Sequence, residues 1–259
     1  MVDTPTRINQ FYKDIFNPPT LMKLSNGYRS IRNKLRYFQD QLDKYGVCFA
    51  PLIIFHEFFQ KRIYQIKGIA FPDFSKNLQS TIAASIHSDA HENKESSYFS
   101  IKKAFRKIPI LSEKIKLLDI GCGSGKSMVI GMKLKFCEVV GIDLDTLSLQ
   151  QGLQNCEQMK MFGHKTTFSF INVDATLFSI PEGINLIYLF NPFGLTTFTK
   201  VVENIESFVK KQKEIVYVVY MNPLYIDCFL EKDCFKIHFS SYFSDNKKKE
   251  MVILQSVIN

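Results

Sequence analysis

Three glycines within five residues, placed directly after a short apolar segment, limit what this chain can fold into. The segment Ile115 to Ile120 is mostly apolar and shows no helical period, which is typical of a buried parallel strand. The turn that follows, Gly-Cys-Gly-Ser-Gly, can bend sharply and let a ligand approach the main chain, because glycine has no Cβ. A helix is predicted over 126–135, with its first amide groups directed back toward the turn.

A carboxylate follows this turn at an informative distance. The second strand, near 138–142, ends at Asp143, which lies 22 positions after Gly121. An acidic side chain there can accept hydrogen bonds from both hydroxyls of a ribose. The strand, turn, helix and second strand therefore predict a βαβ unit that binds a nucleoside.

Spacing within the turn separates three kinds of ligand. In a phosphate-binding P-loop, the glycine that precedes the Gly-Lys-Ser of residues 125–127 would stand at position 120, which is Ile120, so ATP and GTP are disfavoured. In the dinucleotide fingerprint G-x-G-x-x-G, the third glycine would stand at position 126, which is Lys126, so NAD is also disfavoured. The pattern that remains to be explained is an acidic residue, then G-x-G-x-G, then an acidic residue at the end of the next strand.

This remaining pattern resembles the class I S-adenosylmethionine (SAM)-dependent methyltransferases, which have a seven-stranded, Rossmann-like sheet. The resemblance implies that Asp119, Gly121 and Gly123 surround the amino acid part of SAM. It also implies that Asp143 binds the ribose. SAM is therefore the expected cofactor.

The third strand, predicted over 166–173, ends at Asp174 and Ala175. The resemblance implies that the Asp174 carboxylate accepts a hydrogen bond from the adenine amino group and that the Ala175 amide meets the ring. A carboxylate at a strand end can also simply form a turn. Cys122 and Leu144, which follow Gly121 and Asp143 in the chain, complete this part of the predicted cofactor site.

The fourth strand, predicted over 184–190, brings Asn191, Pro192 and Phe193 to the same edge of the sheet. Amino-methyltransferases often carry Asn or Asp, two prolines and an aromatic residue here, and this chain has one proline fewer. Uncharacterised bacterial relatives show a similar Asn-Pro-Phe. The resemblance implies that Asn191 contacts the cofactor and orients the acceptor, although Asn-Pro is also an ordinary turn.

A hydroxyl residue and a tyrosine also match a loop known from this family. In a group of bacterial members, and in seven-strand histone-lysine methyltransferases, such a loop precedes the helix before the first strand and folds over SAM. Ser96, Ser97 and Tyr98 occupy the matching place. The resemblance thus implies that Tyr98 contacts SAM.

The remaining patterns predict the domain organisation. Apolar spacing indicates N-terminal helices over 21–45 and 52–67, ending at Gly46 and Gly68, and a helix over 98–107. Further elements are a helix over 146–162, a strand over 215–221, a helix over 224–230 and antiparallel strands over 235–242 and 250–258. We expect a helical N-terminal region, 1–97, that shapes the substrate pocket, followed by a SAM-binding α/β domain, 98–259. Its sheet is mostly parallel and closes with an antiparallel hairpin.

Positive charge is concentrated before the predicted SAM-binding core. The net charge is +8, and residues 1–112 hold 17 Lys and Arg against 9 Asp and Glu, whereas 113–259 hold 16 of each kind. One basic cluster comprises Arg29, Arg32, Lys34 and Arg36, and another comprises Lys102, Lys103, Arg106 and Lys107. Such clusters can attract nucleic acid or another acidic partner, or can form solvated helix faces.

Other features bound the location and chemistry. The first ten residues are polar, and the apolar run 47–55 is too short to cross a membrane, so we expect a soluble, cytoplasmic protein. Six cysteines without a C-x-x-C pair are expected to be reduced. His87 and His91 are four residues apart and could hold a metal, but no third ligand is evident, and a loop over the active site is favoured. We predict no metal site.

Together, these features predict methyl transfer from SAM to an oxygen or nitrogen of a small molecule or sugar. Two alternatives stay open: a protein or nucleic acid acceptor recruited by the basic N-terminal region, and a SAM-binding scaffold without activity. A hydroxyl acceptor requires a general base. The candidates are His56, His87, His91 and His238.

Overall fold

The computed structural model describes residues 18–72, 97–190, 193–243 and 248–258. The chain packs as two units, Met1–Ile54 and Phe55–Asn259. The boundary predicted from the sequence, between residues 97 and 98, stays a prediction.

Helix α1 spans Pro18–Ile66 and is interrupted at Gly46, where φ is 73° and ψ is 166°. This interruption confirms the predicted end of the first helix. The chain leaves α1 through Gly68, whose φ of 72° lies in the left-handed region that glycine adopts without strain. Helix α2 covers Tyr98–Phe105 and a 3₁₀ turn covers Ser112–Lys114.

Seven strands form one sheet in the second unit. They are β1 (Lys116–Ile120), β2 (Glu138–Asp143), β3 (Thr167–Asn172), β4 (Leu186–Leu189), β5 (Tyr217–Met221), β6 (Phe235–Tyr242) and β7 (Lys249–Ser256). The helices between them are α3 (Lys126–Lys133), α4 (Thr146–Met161), α5 (Leu195–Val209) and α6 (Asp227–Leu230).

The strand order is β3-β2-β1-β4-β5-β7-β6. Strands β1 to β5 run parallel, and β7 inserts antiparallel between β5 and β6. The predicted seven-stranded, mostly parallel sheet with a C-terminal antiparallel hairpin is therefore confirmed. The order reverses between β1 and β4, and ligands of open α/β sheets bind at such a switch point, beyond the carboxyl ends of the strands.

Helices cover both faces of the sheet, because successive side chains of a strand point to opposite faces. In β1, Leu117 packs in a core with residues of α2, α3 and α4, whereas Leu118 packs in a second core with residues of α5 and α6. Both leucines are fully buried. This double burial explains why the central strands read as continuous apolar runs.

Helix α5 has no counterpart among the predicted elements. It buries residues at helical spacing, namely Phe198, Val201, Val202, Ile205, Phe208 and Val209. The same apolar spacing is present in the sequence and is by itself enough to indicate a helix. In contrast, the predicted helix over 224–230 is only four residues long, Asp227–Leu230.

A buried carboxylate joins α2 to the C-terminal hairpin. Glu250 on β7 is 3% exposed, and its Oε1 accepts a hydrogen bond from the Ser100 hydroxyl at 2.6 Å. Its Oε2 accepts from Lys103 Nζ at 2.7 Å and from the Ser241 hydroxyl at 2.8 Å. A buried carboxylate with three donors, one of them charged, is well compensated for the loss of water.

Replacing Glu250 with alanine should lower the free energy of unfolding by about 2 to 4 kcal/mol, because Lys103, Ser100 and Ser241 then lose their shared acceptor. Urea unfolding followed by circular dichroism measures this loss. The matched control is Glu138→Ala on β2, whose ion pair with Lys116 spans 3.7 Å and whose side chain is 37% exposed. That change should cost less than about 1 kcal/mol. Equal losses in the two variants would contradict the structural role of Glu250.

Candidate functional site

The glycine turn after β1 adopts a conformation that other residues rarely reach. Gly121, Gly123 and Gly125 have φ values of 76°, 51° and 75°. The amides of Gly121 and Cys122 both donate to the Ile142 carbonyl, at 2.9 and 3.0 Å. The turn is therefore tied to the end of β2, and three successive left-handed glycines explain the G-x-G-x-G spacing.

The Asp143 carboxylate holds the turn from the other side. Its Oδ2 accepts from the Gly123 amide at 2.7 Å, and its Oδ1 accepts from the Asp145 amide at 2.9 Å. Burial raises the pKa of this carboxyl above its ordinary value, and the hydrogen bonds from these two amides oppose the rise. Each oxygen of a carboxylate has two lone pairs, so each can accept a further hydrogen bond from a ligand.

Asp119 lies at the end of β1, between Gly141 of β2 and Tyr188 of β4. Its side chain is 3% exposed and accepts a hydrogen bond from the Ser127 hydroxyl in the first turn of α3. Burial raises the pKa of this carboxyl to about 7, the Ser127 hydrogen bond opposes the rise, and the nearby Asp143 charge adds to it. Two carboxylates, Asp119 and Asp143, thus lie at neighbouring strand ends and favour a cationic ligand.

Cys122 packs beneath the turn rather than lining an open surface. It is 7% exposed, and burial raises the pKa of its thiol well above the ordinary value. A Cβ added to Gly141 would lie 2.8 Å from the Cys122 sulfur and 2.5 Å from that of Met128. Such distances are shorter than van der Waals contact, so β2 requires glycine at this position.

In the loop after β3, the Asp174 carboxylate forms a turn. Its Oδ1 accepts from the amide and the hydroxyl of Thr176, both at 2.8 Å, which is the geometry of a turn-forming aspartate. Asn204 of α5 donates to the carbonyls of Ala175 and Thr176 at 3.2 and 2.8 Å. This loop is therefore held in place at the same sheet edge, and the adenine contact stays a prediction.

Leu144 lies directly after Asp143 and is 37% exposed. Asn172, the last residue of β3, donates its side-chain amide to the carbonyls of Asp143 and Leu144, both at 3.0 Å. The main chain at Leu144 is thus tied to two strands, while its side chain is accessible to a ligand.

Tyr98 begins α2 and belongs to an aromatic cluster. Its ring stacks on Tyr64 at 5.4 Å and meets Phe71 edge-on at 6.0 Å. The ammonium group of Lys126, the first residue of α3, lies 4.1 Å from the centre of the Tyr98 ring. The cluster therefore places Tyr98 next to the first turn of α3, where cation–π attraction stabilises it.

Glu57 positions the start of α2. Its two carboxylate oxygens accept hydrogen bonds from the amides of Tyr98 and Phe99 at 3.0 and 2.8 Å, and the Ser97 hydroxyl accepts from the Ser100 amide at 3.0 Å. An anionic group at a helix N-terminus satisfies amides that have no partner within the helix.

Asn155 is a site residue that the sequence interpretation missed. It lies on α4, is fully buried, and donates to the carbonyls of Ser124 in the glycine turn and of Ala70, at 3.0 and 2.7 Å. Its Oδ1 accepts from the Ala70 amide at 3.0 Å. Asn155 therefore joins the segment after α1 to the turn. A single asparagine inside a helix carries no sequence signal of this role.

Several predicted residues lie outside the described residues. They are Asn191, Pro192, Ser96, His87 and His91. Of the other two candidate bases, His56 has its Nδ1 3.6 Å from Glu57, and His238 places its Nε2 3.3 Å from the Lys107 carbonyl. Within the described ranges, no group of three or more His, Cys, Asp or Glu side chains is arranged to hold a metal ion.

Comparison with known proteins supports the fold. No protein-family model matches the chain, and a search of curated proteins gives no significant match. Among solved structures, the Escherichia coli protein yhhF, described as a candidate methyltransferase, is similar over 64% of this chain and 90% of its own, with 14% identity and a TM-score of 0.51. A SAM-dependent methyltransferase of Aquifex aeolicus is 16% identical over 63% of this chain and 94% of its own, with a TM-score of 0.46.

The magnesium protoporphyrin IX methyltransferase of Synechocystis, solved with bound SAM, is also similar. It is 10% identical over 64% of this chain and 87% of its own, with a TM-score of 0.44. At such low identities a likeness shows the fold alone. The strand order and the likeness to yhhF show that the second unit has a Rossmann-like fold of the kind found in methyltransferases.

The stability of the protein should depend on the charge of Asp119. In the folded chain its pKa is about 7, against an ordinary value of 3.8, so between these values the folded state holds a proton that the unfolded state releases. The free energy of unfolding should therefore fall as the pH rises from about 4 to about 7.

The variant Asp119→Asn stays neutral and can still accept a hydrogen bond from Ser127. Its unfolding free energy should therefore change less over this pH window, and the change should be smaller than that of the wild type by on the order of 2 to 4 kcal/mol. Urea unfolding at a series of pH values measures the difference. Asp143, whose pKa is also raised, leaves a residual slope. The control Asp233→Asn, at an exposed position, should keep the wild-type profile. An unchanged profile in Asp119→Asn would contradict the burial of a proton at this site.

Proposed function

We propose that this chain is a SAM-dependent methyltransferase that acts on an oxygen or nitrogen of a small molecule or sugar. The observation that carries the proposal is the convergence of Asp119, the glycine turn and Asp143 at the carboxyl ends of β1 and β2, next to the reversal of strand order. Open α/β sheets bind their ligands at this place.

The shape and charge of the turn fit SAM. A Cβ added to Gly123 would have no atom within 4 Å, so the main chain there is open to a ligand, whereas a Cβ added to Gly125 would lie 3.0 Å from the Phe170 ring. The neighbouring carboxylate of Asp119 suits the ammonium group of the amino acid part. Both oxygens of Asp143 have remaining acceptor capacity for two ribose hydroxyls.

The arrangement does not favour a phosphate ligand. Asp119 and Asp143 would repel a phosphate, whereas phosphate sites present amide groups and cations. The amide of Gly123, which a phosphate would need, already donates to Asp143 at 2.7 Å. The described charges thus agree with the spacing argument against ATP and NAD.

When bound, SAM would supply a methyl group on a positively charged sulfur. The acceptor bonds to the methyl carbon from the side opposite the sulfur, and the bond between that carbon and the sulfur breaks. The protein aligns the acceptor with this methyl group, excludes water and, for a hydroxyl acceptor, receives its proton. In the proposal, Asn191 orients the acceptor and Tyr98, with Leu144, Asp174 and Ala175, completes the cofactor site. Asn191 cannot serve as a base, because an amide does not take up a proton at neutral pH.

Calorimetric titration with SAM, S-adenosylhomocysteine, NAD and ATP tests the cofactor. We expect the two adenosyl ligands to bind and the other two not to bind. Asp143→Ala should weaken SAM binding by about 10- to 100-fold, because hydrogen bonds to a charged group are lost. Asp233→Ala, at an exposed position, is the matched control, and an unfolding curve of each variant shows that the fold is intact. Binding of NAD or ATP alone would overturn the proposal.

The affinity for SAM should rise with pH. Asp119 has a pKa of about 7, and only its ionised form attracts the ammonium group of SAM, so the dissociation constant should fall from about pH 6 to about pH 8. Asp119→Asn should reduce this dependence to the part that comes from Asp143. The ligand control is 5′-methylthioadenosine, which lacks the amino acid part and should bind with a weaker pH dependence than SAM. The same pH dependence for both ligands would exclude Asp119 as the ammonium partner.

Transfer itself is tested with methyl-labelled SAM in a cell extract. Label in low-molecular-mass compounds is expected, whereas label in protein or RNA would favour a macromolecular acceptor. SAM binding without any transfer would favour the scaffold alternative.

A further inference from the structure

The outer face of α1 between Phe55 and Ile66 is apolar and exposed. We define this outer face by four residues, Phe55, Phe58, Phe59 and Ile66, whose exposures are 67%, 64%, 51% and 82%. Phe55 and Phe59 are one helical turn apart, and their rings stack at 6.1 Å. Single exposed apolar residues are common on proteins, but a cluster on one helix face marks an interaction surface.

The opposite face of the same helical segment makes contacts within the domain. Tyr64 is 2% exposed, and Glu57 accepts hydrogen bonds from the amides that begin α2. Gln60 accepts a hydrogen bond from Lys133 at 3.1 Å. The segment therefore packs on its domain through residues 57, 60 and 64, and the outer face points away from that packing, as helical periodicity requires.

Positive charge accompanies the outer face. Lys61 and Arg62 are exposed, and the one acidic residue of 55–66, Glu57, is directed to the other side. Along the flank, Lys133 is close to Lys102 and Lys67. Burial is the main cause that lowers the Lys133 pKa, and the charges of these two lysines lower it further. A helix with an apolar face and basic flanks is the pattern of segments that lie in the interface of an anionic membrane.

We propose that the outer face of α1, with Lys61 and Arg62, docks this protein on the surface of an anionic lipid bilayer. The apolar side chains enter the region between headgroups and acyl chains, and the cations face the headgroups. The docking is peripheral, since no helix among the described residues is both long and apolar enough to cross a bilayer. The proposal does not depend on the methyltransferase activity.

Charge complementarity favours lipid over two other occupants. In a symmetric dimer through this face, Lys61 and Arg62 would approach their own copies, and like charges oppose such contact. Single-stranded RNA would satisfy the charges, but it binds by stacking bases on free aromatic faces. Phe55 and Phe59 stack on each other, and Ile66 has no ring. An anionic bilayer accommodates both the apolar and the basic residues.

Flotation of the full chain with vesicles tests the proposal. We expect binding to vesicles of phosphatidylcholine mixed with phosphatidylserine, and at least about tenfold weaker binding to phosphatidylcholine alone. Phe55→Ser with Phe59→Ser should reduce binding by at least about tenfold, because two apolar groups no longer enter the bilayer. Lys61→Gln with Arg62→Gln should reduce it by about 30-fold, and added salt should weaken binding of the wild type.

The control variants change similar residues elsewhere. Leu177→Ser removes a side chain that is 79% exposed, and Lys236→Gln removes an exposed cation on β6. Neither should change binding. Because all substituted residues are exposed, the thermal unfolding of each variant should match that of the wild type.

Four results would overturn the proposal. The first three are no binding to either vesicle, equal binding to both vesicles, and control variants that reduce binding as much as the test variants do. The fourth is a concentration-dependent dimer, detected by light scattering in a protein that does not bind vesicles, that Phe55→Ser with Phe59→Ser abolishes. Retention of a fluorescent single-stranded RNA that the charge variant abolishes, again without vesicle binding, would assign the surface to RNA.

Discussion

The hydrogen bond from the Gly123 amide to the Asp143 carboxylate, at 2.7 Å, is the interaction on which the site depends. It connects the turn after β1 to the end of β2, and the Ile142 carbonyl reinforces the connection by accepting from Gly121 and Cys122. The turn can take this form only because its glycines adopt left-handed conformations. One carboxylate thus both shapes the turn and is available to a ligand.

Buried and partly buried polar side chains hold the elements around this turn together. Asn155 joins the Ser124 carbonyl to the chain at Ala70, and Glu57 holds the first amides of α2. Glu250 anchors the same helix to the C-terminal hairpin through Ser100 and Lys103. Each group satisfies several partners at once, so each loss would leave more than one buried polar atom without a hydrogen bond.

Much of the fold follows from local sequence patterns. Continuous apolar runs predicted the central strands, because both of their faces are buried, and glycine predicted the break in α1 at residue 46. Strand limits follow less directly from local patterns. The edge strand β3, predicted over 166–173, covers Thr167–Asn172, since strand ends depend on pairing with a neighbour rather than on the residues themselves. Helix α5 lies outside the predicted elements although its apolar residues recur at helical spacing.

By itself, the sequence determined the βαβ unit, the glycine turn and the carboxylates at positions 119 and 143, because these depend on residues close together in the chain. Only the tertiary structure decided which distant residues support them. Asn155, Glu57 and Glu250 are separated from their partners by 31, 41 and 150 positions, and no local pattern encodes such pairs. The tertiary structure also decided that Phe55 and Phe59 face outward, since an apolar helix face can equally be buried until its neighbours are known.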